Sequence, residues 1–388
     1  MSIMHTIDRV GRTLRKRLAS RSPRAYLLAL VLTLFYVGVY WYGWWFDPVL
    51  WLLDGPSMWL RGAPADHWFL YGTFYTLAVL GFGVRTFRRR REDAYQRLRT
   101  ISVMFVQLAL AYLLPNWFRA INQPEFYPSY FWPLKPEYLW PGDQGMGWML
   151  SHPGGWGLAF VIFGLMMILV ATPVLTYFYG KRWYCSWVCG CGALAETAGD
   201  DFRTEMPSSN SAWWWERVLL YPILGLVVLI TVGLWLVSGP MSGSIATPIV
   251  QTAARWYGFA IGATFSGLIG VGAYPLMGPR VWCRYGCPMA AILGLQQRVF
   301  SRFRITVNSG QCISCGACTR HCEMGIDVRR YAERGESITR ASCVGCGICA
   351  HVCPRGVLRL ENGRINERRA IIPELRILEE DVFRDKLS

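Results

Sequence analysis

Eight cysteines crowd into residues 312–353 in two runs of one spacing, Cys312-x2-Cys315-x2-Cys318-x3-Cys322 and Cys343-x2-Cys346-x2-Cys349-x3-Cys353-Pro354. This restricts the fold more than any other feature, because the thiolates of each run must converge on something. A zinc module needs four ligands per ion and has no use for a third and a fourth cysteine at this spacing, repeated. The spacing serves a pair of [4Fe-4S] cubes, where three close thiolates grip one cube and the fourth cysteine of the run ligates the other. Cys312, Cys315, Cys318 and Cys353 are therefore expected to hold cluster 1, and Cys343, Cys346, Cys349 and Cys322 cluster 2. Gly316, Gly345 and Gly347 suit the loop backbone around the cubes, since a chain wrapping a cube needs positive φ angles and N–H groups aimed at sulfur. The apolar stretches Ile305–Val307 and Val357–Leu360 predict a small antiparallel sheet bracketing the pair. Glu323 stands where proline usually follows the fourth cysteine, which frees the backbone but removes no ligand.

The rest of the chain is of another kind. Of the 388 residues, 53% are apolar and only 17% charged, with 19 tryptophans, whereas soluble domains carry about 25% charge. The formal charge of +15 invites a nucleic-acid reading, yet the basic residues sit in short blocks beside apolar runs. Membrane topology accounts for them, and no nucleic-acid partner is expected. Six windows, 25–46, 67–84, 98–114, 156–179, 218–237 and 256–277, approach the ~20 apolar residues that a spanning helix needs. With the amino terminus inside, segments 1–24, 85–99 and 181–217 hold eighteen Arg and Lys, and the outer segments only Arg61, Arg119, Lys135 and Arg255. The positive-inside rule favours this arrangement. The basic amino terminus and the apolar run behind it, with no small-residue cleavage site, read as an uncleaved signal anchor. Segment 116–155, rich in Pro and aromatics (Phe126-Tyr127-Pro128-Ser129-Tyr130-Phe131-Trp132-Pro133), is expected to pack on the outer membrane face, as a docking platform for a redox partner or as a lid.

Two further cysteine pairs follow the fourth and sixth windows: Cys185-x3-Cys189 and Cys283-x3-Cys287-Pro288. A shift of 98 residues superposes Gly180 on Gly278, Arg182 on Arg280, both cysteines, and Ala193 on Ala291, an internal parallel repeat. The i, i+4 spacing predicts each pair on one face of a helix at the cytoplasmic face. A twofold partner then completes four soft thiolates, which suit an iron–sulfur cluster first and copper second. Buried apolar cysteines are common, but free cysteines have no reason to repeat. Cys191 is left over.

With both elements in view, the chain resembles the NosR/NapH/CcoG-type membrane polyferredoxins. The resemblance rests on the two C-x3-C motifs followed by the two cubane motifs, over about 156–360. It departs at Gly190, where the family motif has proline. It implies an α-helical integral membrane protein of about six transmembrane helices with a carboxy-terminal α+β ferredoxin-like domain carrying two [4Fe-4S] clusters. The regions expected are a basic cytoplasmic 1–24, helices 1–3 over 25–115, the outer loop 116–155, helices 4–6 over 156–300, the two-cluster domain 301–365 and a charged tail 366–388. The function implied is one-electron transfer in the bacterial inner membrane, with the ferredoxin domain cytoplasmic and without a catalytic acid, base or nucleophile. The expected partners are the quinone pool, a redox protein on either face, or a soluble ferredoxin-like carrier. The alternatives are a copper-handling or regulatory metalloprotein and a cluster-braced assembly subunit.

Overall fold

The computed structural model describes residues 22–142 and 145–362. Most of the basic amino terminus, through residue 21, and the tail 366–388 lie outside the described residues. Four of the long helices begin where a short polar side chain meets an orphan backbone N–H. Ser22 caps α1 (Pro23–Trp41) by accepting from the Ala25 amide, with proline at the first helical position. Helix α2 (Asp47–Arg61) ends at Gly62 with φ 68°. Asp66 caps α3 (His67–Arg89), Asp93 caps α4 (Ala94–Ala120), and α5 spans Trp156–Tyr179. A short α6 (Gly190–Glu196) precedes α7 (Asn210–Ser238), which Ser209 caps. Helix α8 (Ala246–Tyr257) runs on into the π-helical stretch Gly258–Ile269. The short α9 (Val281–Tyr285) and α10 (Pro288–Val299) complete the helical half.

Four of these helices, α1, α4, α5 and α7, are long and apolar enough to cross a membrane. The other two expected spans are also helical. Helix α3 has the length, but Trp, Tyr and Thr replace aliphatic residues along it and arginines close it. The last is rewound at its glycine-rich centre. Helix α2 was not among the expected segments, since 47–66 was read only as an outer connection. It is one-sided, with Ser57 and Arg61 buried while Trp51 and Trp59 are exposed.

Within segment 116–155, residues 126–140 pack among the helices, while Trp117, Ile121, Trp148 and Leu150 are exposed. Phe126 stacks on Phe160 of α5, with ring centroids 4.1 Å apart. Further on, Ser129 O accepts from Tyr184 Oη at 2.5 Å, and Phe131, 1% exposed, joins the core that contains Cys185, Cys189, Cys283 and Cys287. Trp132 and Trp140 both donate to Thr231 Oγ1 of α7, at 3.0 and 3.1 Å. A stretch dense in uncharged aromatics gains more by entering the bundle than by covering it. In the carboxy-terminal domain, β1 (Phe303–Val307) pairs antiparallel with β2 (Leu358–Asn362), with Val307 opposite Leu358 and Phe303 opposite Asn362. This is the expected sheet, with each strand two residues longer at its outer end and β2 starting one residue later.

Candidate metal centres

The two cysteine runs adopt the same local conformation. Gly316 (φ 72°) and Gly347 (φ 78°) each stand as the residue before a single helical turn, Ala317–Arg320 and Ile348–His351. Two residues earlier in each run, Ser314 (φ 55°) and Gly345 (φ 62°) are also left-handed. Left-handed backbone at these points turns successive N–H groups inward. Two small hollows result. One is lined by Cys312, Cys315, Cys318 and Cys353, the other by Cys322, Cys343, Cys346 and Cys349. The crossed grouping is thus present in the folded chain. Among the described residues no three of His, Cys, Asp and Glu close on a point as ligands of a single ion do. Two rings of four soft thiols around a hollow suit iron–sulfur cubes.

The two rings sit in different surroundings. Cys315 is exposed and Cys312 half-buried, whereas Cys343, Cys346 and Cys349 are buried. Burial pushes the Cys322 and Cys343 thiols up to about 12, so a metal must displace protons to bind there. The loop 343–346 is bound to the helical half through its carbonyls. Gln297 Nε2 donates to Cys343 O at 2.9 Å and Ser186 Oγ to Val344 O at 2.8 Å. Tyr95 Oη donates to Gly345 O and Gln96 Nε2 to Cys346 O, both at 2.8 Å.

The C-x3-C pairs depart from the expectation of one helical face each. Cys185 ends a single turn, Arg182–Cys185. Cys189 is the extended residue before α6 (φ −65°, ψ 127°). In the second copy Cys283 lies inside α9, and Cys287 (φ −83°, ψ 111°) is the residue before α10, where its Sγ accepts from the Ala290 amide. Each pair therefore joins two helices at an angle. Pro288 imposes the extended conformation on Cys287, and Cys189 reaches the same conformation before Gly190. The glycine has its own reason, since a Cβ there would stand 2.1 Å from Tyr130 Oη. All four thiols are 5% exposed and share one core. They lie deeper than the end of the bundle, because Gly190 O accepts from Tyr75 Oη at 2.8 Å and Gln107, midway along α4, faces Gly190.

Between the thiol layers runs a buried ion-pair network that no sequence motif announced. Glu323, fully buried, accepts from Arg280 Nη2 at 2.9 Å and from Arg203 Nη1 at 2.5 Å. Burial alone raises its carboxyl pKa, but Arg203, Arg280 and Arg99 outweigh that and hold it near 2. Arg280 Nη1 donates to Cys185 O at 3.1 Å and lies 3.8 Å from Cys283 Sγ. Glu196 gathers Arg90, Arg99 and Arg203. A second pair, Arg284 Nε to Glu216 Oε2 at 2.9 Å, is completed by Ser342.

A cavity of about 480 Å³ opens beside the C-x3-C set. It is lined by Cys191, Gln107, Tyr75 and Tyr130 at one end and by Arg61, Arg119 and Lys135 at the other. Gln107 Oε1 is buried there without a hydrogen-bond partner.

Comparison with known proteins agrees with these two thiol regions. A 4Fe-4S binding domain family model matches twice, over 161–207 and 260–306, the two copies of the repeat. A 4Fe-4S dicluster domain model matches 311–358. The ferredoxin-type methylamine utilization protein MauN of Methylobacillus flagellatus is 29% identical over 40% of this chain and 53% of its own length. The putative electron transport protein YccM of Escherichia coli is 28% identical over 42% of this chain and 47% of its own. The regulatory protein NosR of Pseudomonas aeruginosa is 25% identical over 64% of this chain and 32% of its own. The chain thus spans about half the length, or less, of these curated relatives. No solved structure matches. With 4Fe-4S models covering both thiol regions, ferredoxin-type relatives, and helices long and apolar enough to cross a bilayer, the chain is similar to the membrane polyferredoxins.

Proposed function

We propose that this protein carries single electrons between a carrier on the cytoplasmic side and a redox partner inside or beyond the membrane. The observation that carries the reading is the asymmetry of the two thiol rings. The ring with Cys315 is open to solvent, while the ring with Cys343 and Cys346 is bound by four hydrogen bonds to the helical half. Iron–sulfur cubes supply one-electron chemistry when bound. Cys312, Cys315, Cys318 and Cys353 are the ligands of the solvent-side cube, and Cys322, Cys343, Cys346 and Cys349 those of the membrane-side cube. Cys185, Cys189, Cys283 and Cys287 form a third soft-ligand set beneath them. Purified anaerobically, the protein is expected to carry at least about eight irons per chain and a reduced-cluster paramagnetic signal. Fewer irons and no signal refute the reading.

The distribution of Arg and Lys supports a reading of six spans in the bacterial inner membrane with the amino terminus and the ferredoxin domain inside, and with Arg61, Arg119 and Lys135 toward the outer face. The cavity beside Cys191 then suits the head of a quinol, whose hydroxyl supplies the donor that Gln107 Oε1 lacks. Gln107→Leu is expected to slow reduction of the protein by a soluble quinol at least tenfold, with dithionite reduction unaffected. Equal quinol rates in the two proteins count against a quinone at this place.

A further inference from the structure

We infer that Arg280 and Glu323 form an electrostatic bridge that couples the charge of the C-x3-C thiol set to that of the membrane-side cubane ring, with Glu323 as the positioning residue. The inference rests on the ligand reading above. Glu323 directly follows Cys322, a member of that ring, and takes the place of the proline that usually stands there. It is fully buried and engages a different arginine with each oxygen, Arg280 at Oε1 and Arg203 at Oε2. Arg280, also fully buried, reaches the other way to Cys185 O and stands 3.8 Å from Cys283 Sγ. One guanidinium therefore contacts the C-x3-C layer directly and reaches the cubane ring through Glu323, the residue after Cys322.

The other residues hold this bridge in place. Gly192 brings α6 against it, since a Cβ there would meet Cys185 O at 2.2 Å and Arg280 Nη1 at 3.2 Å. Gly325, left-handed at φ 61°, lets the loop after Glu323 close onto Arg284 and Pro207 O, either of which a Cβ would meet at 2.3 Å. Arg203 is held from behind by Glu196 and Asp200. In a dry interior such charges act with little screening. The guanidinium beside Cys283 favours added electrons on the sulfur ligands there, and the carboxylate beside Cys322 disfavours them. Each charge also fixes the position of the other, and a proline at 323 supplies neither effect.

Removing the carboxylate alone and removing the pair are read at different centres, the first at the membrane-side cube and the second at the C-x3-C set. Anaerobic redox titration of the full-length protein, followed by electron paramagnetic resonance with iron content measured in parallel, reads both. Glu323→Gln is expected to raise the potential of the membrane-side cube by at least a tenfold change in its reduction equilibrium, 59 mV for one electron. Glu323→Asp, which keeps the charge, is expected to restore it. The double variant Arg280→Gln with Glu323→Gln leaves no unpaired charge between the two positions, so it remains testable if the single variant fails to fold. It is expected to lower the potential of the C-x3-C centre. An unchanged potential of the membrane-side cube in Glu323→Gln with both cubane signals intact, or an unchanged potential of the C-x3-C centre in the double variant, overturns the bridge and leaves the ligand reading standing. Absence of both signals from the unaltered protein overturns the ligand reading itself.

Discussion

At Gly190 a missing methyl group decides how far the re-entrant aromatic segment penetrates. Its backbone is not left-handed, so proximity alone selects glycine: Tyr130 Oη and Gln107 Oε1 occupy the space a Cβ would take. Gly190→Ala is expected to destabilise by about 1–3 kcal/mol, the usual range for overpacking a filled core. Thermal unfolding in detergent measures it, and removing the hydroxyl in a Gly190→Ala, Tyr130→Phe double variant is expected to recover part of the loss. Glu323 shows the limit of reading residues singly. As a departure from the cubane motif it was visible in the sequence. Its partners were not, since Arg203 and Arg280 lie 120 and 43 residues away, and nothing local distinguishes a buried arginine from a solvated one.

At the scale of elements, the helical segments were legible as apolar windows, but two of their starts were not: helices α4 and α7 begin at Ala94 and Asn210, where Asp93 and Ser209 cap polar first turns ahead of the apolar runs. The two strands were legible as short apolar stretches. The C-x3-C pairs were misread as single helical faces, because spacing alone does not distinguish a helix from two helices meeting at an extended residue. The proline at 288 was the available signal. The docking of the 343–346 loop depends on Gln297 of α10, whose amide accepts from Lys181 N at 2.7 Å and donates to Arg340 O and Cys343 O. Gln297→Leu leaves three buried partners unpaired, at about 1–3 kcal/mol each. The expected outcome is a clearly lowered melting temperature and faster proteolysis between the helical half and the ferredoxin domain. An unchanged melting temperature rules out Gln297 as a principal anchor.

Across the whole molecule the proposed order, from a solvent-side ring to a docked ring to the C-x3-C set, predicts unequal effects of equal substitutions. Cys315→Ser is expected to cut reduction by a soluble ferredoxin-like donor at least tenfold while the membrane-side signal remains reducible by dithionite. Cys349→Ser is expected to leave solvent-side reduction fast and to stop transfer to the membrane partner. Stopped-flow absorbance separates the two, and identical kinetics in both variants contradict the order. Arginines near the open ring, with Arg329 half-exposed beside Glu333, suit an acidic donor. The bimolecular rate is then expected to fall as salt rises from 0.05 to about 0.5 M, as screening shortens the reach of surface charge.

Cysteine spacing alone determined the two cubane motifs, the crossed grouping of their thiols and the sheet beside them, because loops this short leave a chain few ways to surround a cube. Apolar length and arginine placement likewise determined which segments are helical candidates for a bilayer. Only the tertiary structure decided that residues 126–133 enter the bundle, that the C-x3-C thiols lie level with the middle of α4, and that the buried Arg99, Arg203, Arg280, Glu196 and Glu323, with the half-buried Arg90 and Asp200, connect the layers. The physical reason is range. Caps, turns and ligand spacings act over a few residues, whereas burying a charge or an aromatic segment depends on partners that only packing brings together.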